Sequence, residues 1–158
     1  MRKISQFSSL LSYCLLATLV SFGLTKPVNA EPTATLTVIV NGLRPQNGQL
    51  CLRVFSNEQG FPMGNTGVKS GCTKITGSSV LQKFSGLKPG NYAVAVVDDE
   101  NGDRKLDTDF FGIPKEGFGI SNNPTVSIQT GTPSFNKASF SVKKNTTINI
   151  LMKYKLDP

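Results

Sequence analysis

The sequence contains no histidine and no tryptophan in its 158 residues. Imidazole is the proton carrier in Ser-His-Asp and Cys-His catalysis, and it is the commonest side-chain ligand of protein metal sites. The absence of histidine therefore excludes both kinds of catalysis, and it excludes histidine metal centres. Carboxylates, amides and backbone carbonyls remain as the groups that a reaction or a hard cation can use.

Amphipathic helical patterns are also lacking. Apolar residues nowhere recur at positions i, i+3, i+4 and i+7 over the roughly ten residues that a helix needs. Hydrophobic residues make up 38% of the chain and charged residues 17%, which is ordinary for a globular protein. This length is typical of one domain, and no internal repeat or low-complexity tract divides the chain. We therefore expect one folded domain built from strands.

The N-terminal segment has the features of a targeting signal. A short basic start is followed by an apolar run over residues 10–24, and residues 28–30 supply the small or modest side chains of a cleavage site. A membrane anchor is the alternative, but polar residues interrupt the run, which is shorter than the roughly 20 apolar residues of a span. The pattern predicts a cleaved signal peptide at residues 1–30, a single mature domain at residues 31–158, and export to the periplasm or the extracellular medium.

Part of the positive charge belongs to that signal. Three of the seventeen basic residues lie in residues 1–30, so the net charge falls from +7 for the chain to +4 for the mature domain. The remaining basic residues are scattered, and no aromatic residues are interleaved with them to stack bases, which argues against a nucleic-acid partner. The segment 151–158 is short and charged, so we expect no membrane-embedded part after signal cleavage.

The mature domain retains two cysteines, Cys51 and Cys72. An even pair in an exported protein predicts a disulfide bond. Its loop of 21 residues would stabilise the fold by about 3 kcal/mol on the chain-entropy model. A metal-binding or nucleophilic pair is the alternative, but no histidine is present to activate either thiol.

Short alternating runs predict strands along the whole mature chain. The run at 92–98 is apolar on both faces, so it must be central in its sheet and covered twice, which indicates a sandwich. Residues 56–78 contain six Gly and Pro residues and predict a long loop, and a second long loop follows residue 98. The predicted strands lie at 34–41, 49–55, 80–84 and 92–98, around Val126 and Ile128, at Ala138 to Val142, and at Ile148 to Met152. The predicted fold is all-β, a single antiparallel β-sandwich of about seven strands with two long loops.

The connection between the third and fourth predicted strands carries a resemblance. Its sequence, from Phe84 to Tyr92, contains Leu-x-Pro-Gly-x-Tyr and resembles the corner of prealbumin-like and collagen-adhesin B-type sandwiches. Pro fixes φ at the first turn position, and Gly tolerates positive φ at the second. The resemblance implies an immunoglobulin-like or prealbumin-like sandwich and implies no activity.

A longer resemblance extends from about Leu36 to Tyr154. It combines that corner with four further motifs in a fixed order, at Ala95–Gly102, Lys105–Asp107, Phe111–Gly119 and Ser121–Asn123. This arrangement resembles the bacterial domain-of-unknown-function family 2141. The resemblance implies an exported β-sandwich domain to which no activity is attached.

The acidic loop, residues 98–109, has the spacing of a calcium loop. Oxygen-bearing side chains at offsets 0, 2, 4 and 8 can converge on a hard cation, and a backbone carbonyl supplies a further ligand. Arg104 replaces the usual sixth-position Gly, and Phe110 replaces the twelfth-position Glu, so a site here would be weak. The alternative is a solvated acidic turn made by Asn101-Gly102 without an ion. The predicted Ca²⁺ ligands are Asp99, Asn101, Asp103, Lys105 through its carbonyl, and Asp107.

The second candidate loop runs from Phe110 to Pro124. Its glycines do not form a dinucleotide fingerprint, because no βαβ unit surrounds them. One interpretation is an Ω-type loop that packs Phe110, Phe111 and Phe118 over the sandwich end. The other is a ligand or partner surface of exposed aromatic residues and glycines.

These features favour an exported binding or structural module of the cell envelope, whose partner is an envelope protein or a glycan. Two other hypotheses stay open. One is an accessory protein that binds a partner through an edge strand. The other is a carboxylate-dependent hydrolase, although carboxylates two to four residues apart on one turn suit a cation better than the opposed pair of a glycosidase. We therefore expect no enzymatic activity and no cofactor other than calcium.

Overall fold

The computed structural model describes residues 31–44 and 48–158, and residues 31–158 form one compact unit. The predicted signal peptide lies outside the described residues. No helix in these ranges combines the length and the apolar character that crossing a membrane requires.

In chain order the elements are β1 (Ala34–Asn41), β2 (Gln49–Phe55), β3 (Lys69–Lys74), β4 (Ser79–Leu87), β5 (Gly90–Asp99), β6 (Gly117–Ile120), α1 (Phe135–Ala138), β7 (Phe140–Val142) and β8 (Thr146–Leu151).

Two sheets enclose the core. The smaller sheet has the strand order β4-β1-β8, and the larger has the order β3-β2-β5-β6, with β7 paired to the other end of β5. Every pairing between these strands is antiparallel except that of β1 with β8, which is parallel and places Val38 opposite Ile148. The predicted all-β sandwich is confirmed, with eight strands in the described residues and with one parallel pair that the sequence did not indicate.

The core lies between the sheets because the strands alternate apolar and polar residues. In β1, Leu36, Val38 and Val40 are completely buried, while the residues between them are partly exposed. From the larger sheet, Val94 and Val96 join the same cluster with exposures of 0% and 1%. The prediction that this face of β5 lies between the sheets is confirmed.

The Leu-x-Pro-Gly-x-Tyr corner connects β4 to β5. Leu87 and Tyr92 are both buried in the core cluster. The Tyr92 hydroxyl donates a hydrogen bond to the Lys88 carbonyl at 2.7 Å, which satisfies the polar end of an otherwise buried ring. The positive φ expected at Gly90 is found instead at Gly86, whose φ is 73°, and Gly90 is already the first residue of β5.

The outer face of the larger sheet is covered by a second apolar layer. Ala93 of β5 and Ala138 of α1 are fully buried there together with Ile120. The rings of Phe61 and Phe135 pack against this cluster and contact each other edge to face, with centroids 5.9 Å apart. The double cover predicted for β5 is confirmed, and loops and one short helix provide it.

Strand β3 corrects the prediction of a continuous loop over residues 56–78. Its sequence, KSGCTK, is polar and lacks an alternating pattern, so sequence periodicity gave no strand signal. It pairs with β2 over six residues, and Cys72 lies directly opposite Cys51 in that register. The predicted disulfide is confirmed, and it fixes a polar edge strand to the sheet.

Three further differences occur between residues 115 and 142. Gly117–Ile120 forms β6 inside the segment expected to be a loop, and two of its four residues are glycines that hide the strand pattern. The strand predicted around Val126 and Ile128 is wrong, because this segment has no strand pairing and Ile128 is 77% exposed. Ala138 ends a four-residue helix, so the strand predicted from 138 begins at Phe140.

One end of the core is closed by a polar contact. The Tyr154 hydroxyl donates to the buried Asp98 carboxylate at 2.6 Å and accepts the backbone N–H of Arg44 at 2.9 Å. The Arg44 guanidinium lies 4.0 Å from the centre of the Tyr154 ring. Burial, reinforced by the hydrogen bond to Asp98, raises the pKa of Tyr154 to about 12. This contact joins the C-terminal segment to β5 and to the segment that follows β1.

Candidate functional site

The acidic loop begins at the end of β5 and contains all the residues predicted to bind calcium. Asp99, the last residue of the strand, is 1% exposed. The other predicted ligands lie on the turn that follows, where Asn101, Asp103 and Lys105 are exposed and Asp107 is partly exposed. The structure thus places one buried carboxylate at the base of a solvated turn.

The Asp99 carboxylate organises this turn. Its Oδ1 accepts the backbone N–H groups of Gly102 at 2.8 Å and Asp103 at 3.2 Å. Its Oδ2 accepts the backbone N–H of Arg104 at 3.1 Å and the Gln49 side-chain amide at 2.9 Å. A carboxylate has about four lone-pair sites, so these four donors satisfy it. A cation that used Asp99 would therefore compete with the backbone of the loop.

The exposed residues of the acidic loop also accept backbone N–H groups with their side-chain oxygens. Asn101 Oδ1 accepts the N–H of Asp103 at 3.0 Å, and Asp103 Oδ1 accepts the N–H of Lys105 at 2.8 Å. Such Asx turns account for the spacing of two residues without an ion. Across the described ranges, no group of three or more His, Cys, Asp or Glu side chains is arranged to hold a metal ion. Calcium binding by the loop stays a prediction.

Arg104 occupies the position where calcium loops have glycine. Its φ is 64°, in the left-handed region, which costs a residue with a side chain about 1–2 kcal/mol. The loop therefore accepts backbone strain at this position. The hydrogen bond from the Arg104 N–H to Asp99 helps to hold this conformation.

Glu116, which sequence reasoning did not select, ties the two ends of the acidic loop together. The side chain is 6% exposed, Oε1 accepts the N–H of Glu100, and Oε2 accepts the N–H of Asp107, each at 3.0 Å. Burial raises the pKa of the Glu116 carboxyl, because desolvation outweighs the two hydrogen bonds that favour its ionised form. Glu116 is a single glutamate in a glycine-rich segment and belongs to no recognisable motif. Its contact with both ends of the acidic loop is therefore visible only in the structure.

Two phenylalanines project from the next turn. Phe110 is 97% exposed and Phe111 is 83% exposed, and their rings meet edge to face at 5.5 Å. Asp109 Oδ1 fixes the turn by accepting the N–H groups of Phe111 and Ile113, each at 2.9 Å. The interpretation that packs all three loop phenylalanines over the sandwich end is wrong, because among them only Phe118 is buried.

A groove that we call the apolar groove lies beside this turn. Its volume is about 250 Å³. Met63 and Ile128 are 52% and 77% exposed, so together with Phe111 they extend the apolar surface outward from the groove. The lining is mainly apolar and includes Pro62, Met63, Phe111, Ile113, Phe118 and Ile128. The loop surface predicted from the aromatic and glycine residues is thus a groove with exposed apolar side chains around it.

Comparison with known proteins assigns a family without an activity. A family described as uncharacterized proteins conserved in bacteria, DUF2141, matches residues 38–149. The comparisons with curated proteins and with solved structures give no significant match. The matched range contains the acidic loop, the phenylalanine turn and every strand of the larger sheet.

Proposed function

We propose that this chain, which belongs to the bacterial family DUF2141, is an exported binding module of the cell envelope. In this proposal it binds a partner protein at the apolar groove. The exposed pair of phenylalanines, Phe110 and Phe111, is the observation that carries this proposal. Contiguous apolar surface on a folded domain marks interaction sites, and aromatic residues are enriched at the centres of interfaces. Here the turn is held rigid by Asp109, so the two rings are presented without ordering on binding.

The size of the groove favours side chains of a polypeptide as its occupant. Its volume of about 250 Å³ is below the roughly 300–1,000 Å³ of sites that enclose a whole drug-sized ligand. A protein segment that inserts one or two apolar side chains would fill the groove and cover Phe110 and Ile128 around it. A glycan would bring many hydroxyl groups to a lining in which Thr108, Ser127 and Thr132 are the residues with polar side chains.

Partner binding through an edge strand is less well supported. The edge strand β3 begins and ends with exposed lysines, Lys69 and Lys74, and charged residues of this kind discourage strand addition. At the other edge, Phe118 of β6 already pairs with Lys153 through two backbone hydrogen bonds of 2.9 Å and 2.7 Å. Both features support the groove rather than an edge of the larger sheet as the contact surface.

The carboxylates support a structural role rather than hydrolysis. Asp99, Asp109 and Glu116 all accept backbone N–H groups, and these bonds hold the turns that carry the surface. We therefore propose no catalytic step. The disulfide between Cys51 and Cys72 supports export, because such bonds persist in oxidising compartments.

A weak calcium site in the acidic loop remains part of the proposal. Since the Asp99 oxygens already accept four donors, an ion would rely on the side-chain oxygens of Asn101, Asp103 and Asp107. It would compete there with the local hydrogen bonds that these side chains accept. We expect a dissociation constant on the order of 10⁻⁴ to 10⁻³ M, as in extracellular calcium modules. Thermal melting in chelator and in millimolar calcium tests this, with Asp103→Ala as the variant that should lose the response. Identical melting curves for the parent protein in both conditions would leave an ion-free turn.

Site-specific photocrosslinking tests the groove. A photoreactive phenylalanine analogue is placed at Phe111 in one strain and at Leu81, which is 53% exposed on the smaller sheet, in another. We expect one discrete protein adduct from position 111 and none from position 81. The adduct should disappear when Ile128→Ser is added, because this change removes an apolar side chain beside the groove.

An adduct of equal yield from both positions, or one that persists with Ile128→Ser, would contradict groove binding. An adduct with glycan or lipid and no protein would also contradict it, since the proposal commits to a polypeptide.

A further inference from the structure

A second cavity lies on the outer face of the larger sheet, and we call it the arginine cavity. Its volume is about 400 Å³, and its floor consists of outward-facing residues of β2, β3 and β5, including the disulfide, Ala95 and Val97. Pro62 separates it from the apolar groove and lines both. The residues with charged side chains in its lining are Arg53 and Arg104, and no Asp or Glu lines it. The cavity is therefore a cationic pocket with a partly apolar floor.

Arg53 is held in position by the loop that follows β2. Its stem passes under Gly67, where an added Cβ would lie 2.3 Å from the Arg53 Cγ, so a side chain at residue 67 would displace the arginine. The Nη1 group donates to the Gly64 carbonyl. A guanidinium has five N–H donors, and this bond uses one of them. The loop thus orients the group and leaves donors for a ligand.

Neither arginine is neutralised by a carboxylate. Among the residues that the structure describes, the ion pairs join Lys88 with Glu31 and Lys153 with Asp157. Because both arginines line the same cavity, an anion bound there would be attracted by two positive charges. Guanidinium groups also match the planar geometry of a carboxylate or phosphate better than ammonium groups do.

The backbone at Arg104 adds an independent argument. Glycine would adopt the φ of 64° at this position without strain, yet the residue present carries a long cationic side chain that lines the cavity. Strained backbone at a pocket points to a use for the side chain found there. The acidic loop, whose oxygens accept the backbone N–H of Arg104, is the support that keeps this arginine beside the cavity.

We propose that the arginine cavity binds a small organic anion, with its carboxylate, phosphate or sulfate group between Arg53 and Arg104 and its apolar body on the floor. A volume of about 400 Å³ lies in the range of sites that enclose a whole small ligand. Gln49 and Ser70 in the lining offer neutral hydrogen-bonding groups for the rest of the molecule. This site does not depend on the apolar groove, because the residues that define its charge are different.

Binding of phenyl probes to the purified protein tests the proposal. The three organic anions are benzoate, phenyl phosphate and phenyl sulfate, which share a phenyl ring. Benzamide is the neutral control with the same ring, and inorganic phosphate is the anion without a ring. We expect at least one organic anion to bind with a Kd on the order of 1 mM, which suits probes of this size. Backbone amide NMR signals of residues 53, 70, 95 and 104 should shift on binding. Benzamide and inorganic phosphate should each bind about tenfold more weakly.

Two variants and one matched control complete the experiment. Arg104→Gly should weaken binding about tenfold without lowering the melting temperature, because glycine is unstrained at this φ. Arg53→Gln should weaken it similarly. Lys83→Gln removes the same charge from the smaller sheet and should leave binding unchanged. The proposal is overturned if benzamide binds as well as the anions, if Lys83→Gln causes an equal loss, if Arg104→Gly binds like the parent, or if no organic anion binds.

Discussion

The two sheets of the sandwich differ in what lies on their outer faces. On the smaller sheet the outer residues of β4 and β8 face solvent, and Leu81 and Leu151 are each 53% exposed. On the larger sheet the corresponding face is buried under loops and α1, with Phe55 at 1%, Ala93 at 0% and Ala95 at 8% exposure. One sheet therefore has a single packed face, and the other has two.

This difference explains where the two proposed binding sites lie. The outer face of the larger sheet is covered mainly by loops, which contain Gly, Pro and Asx turns. Loops of this kind leave spaces between their segments. Both the apolar groove and the arginine cavity are such spaces, and Pro62 is the wall between them. The smaller sheet contributes its inner face to the core, and its outer face is exposed to solvent.

The largest effect should come from the core face that both sheets share. Val94→Asp places an unpaired carboxylate where exposure is 0%, at a cost of several kcal/mol against a total stability of about 5–15 kcal/mol. We expect this variant not to fold. Leu81→Asp, on the open face of the smaller sheet, should melt within a few degrees of the parent. A cooperative melting transition for Val94→Asp, measured by circular dichroism, would contradict the assignment of this face to the core.

Loss of the disulfide should have the next largest effect. Replacing Cys51 and Cys72 together with alanine should lower the free energy of unfolding by about 3 kcal/mol, because the unfolded chain regains the freedom of a 21-residue loop. Urea unfolding of parent and variant measures the loss. Hydrogen exchange should increase more in β3 than in β4, since the bond fixes only the polar edge of the larger sheet. Equal increases in both edge strands would argue that the disulfide stabilises the domain without local preference.

The covering layer can be tested at Phe61. Its ring contacts Phe55 at 5.3 Å and Phe135 at 5.9 Å, each edge to face. Phe61→Ala should lower the free energy of unfolding by about 2 kcal/mol, because it removes two aromatic contacts and a partly buried ring. Leu81→Ala on the uncovered sheet should cost about 0.5 kcal/mol or less. Similar losses for the two variants, measured by urea unfolding, would mean that the outer layer adds nothing to stability.

A smaller, pH-dependent effect should arise where Tyr154 contacts Asp98 and Arg44. Its pKa is about 12 in the folded protein and about 10 when unfolded, so its contribution to stability is complete below pH 10 and is lost as the pH rises towards 12. Tyr154→Phe should be less stable than the parent at pH 8, and this difference should shrink by pH 11. Urea unfolding at both pH values measures it. A difference that stays constant across this range would show that Tyr154 does not titrate with folding.

The regular part of the fold could be predicted because its signal is periodic. In β1, Leu36, Val38 and Val40 alternate with less buried residues, as a half-buried strand requires. The run from Tyr92 to Val97 in β5 is apolar on both faces, as a central strand that is covered twice requires. Strands β3 and β6 were missed because one is polar and held by a disulfide, and the other is half glycine. Parallel pairing of β1 with β8 leaves no trace in either strand.

The candidate sites were accessible to sequence reasoning only in part. The spacing of Asp99, Asn101 and Asp103 indicated an acidic turn, which the structure shows, but it could not show that backbone N–H groups occupy the Asp99 oxygens. Arg104 was noticed as a departure from a calcium loop. Its proximity to Arg53 is a tertiary fact, because about fifty residues separate the two in the chain and no local pattern connects them.

The parallel pair formed by β1 and β8 sets the order in which the domain can fold. Strand β1 is the central strand of the smaller sheet, and its partner β8 is about 110 residues away in the sequence. Contacts between such distant segments slow the folding of a domain. The chain loses the entropy of closing a long loop before the pairing of the strands stabilises the fold. The neighbouring hairpins can form as soon as they are synthesised, but β1 keeps one unpaired edge until residues 146–151 arrive. The smaller sheet is therefore complete only when β8 pairs with β1, and we expect this long-range pairing to limit the folding rate of the domain.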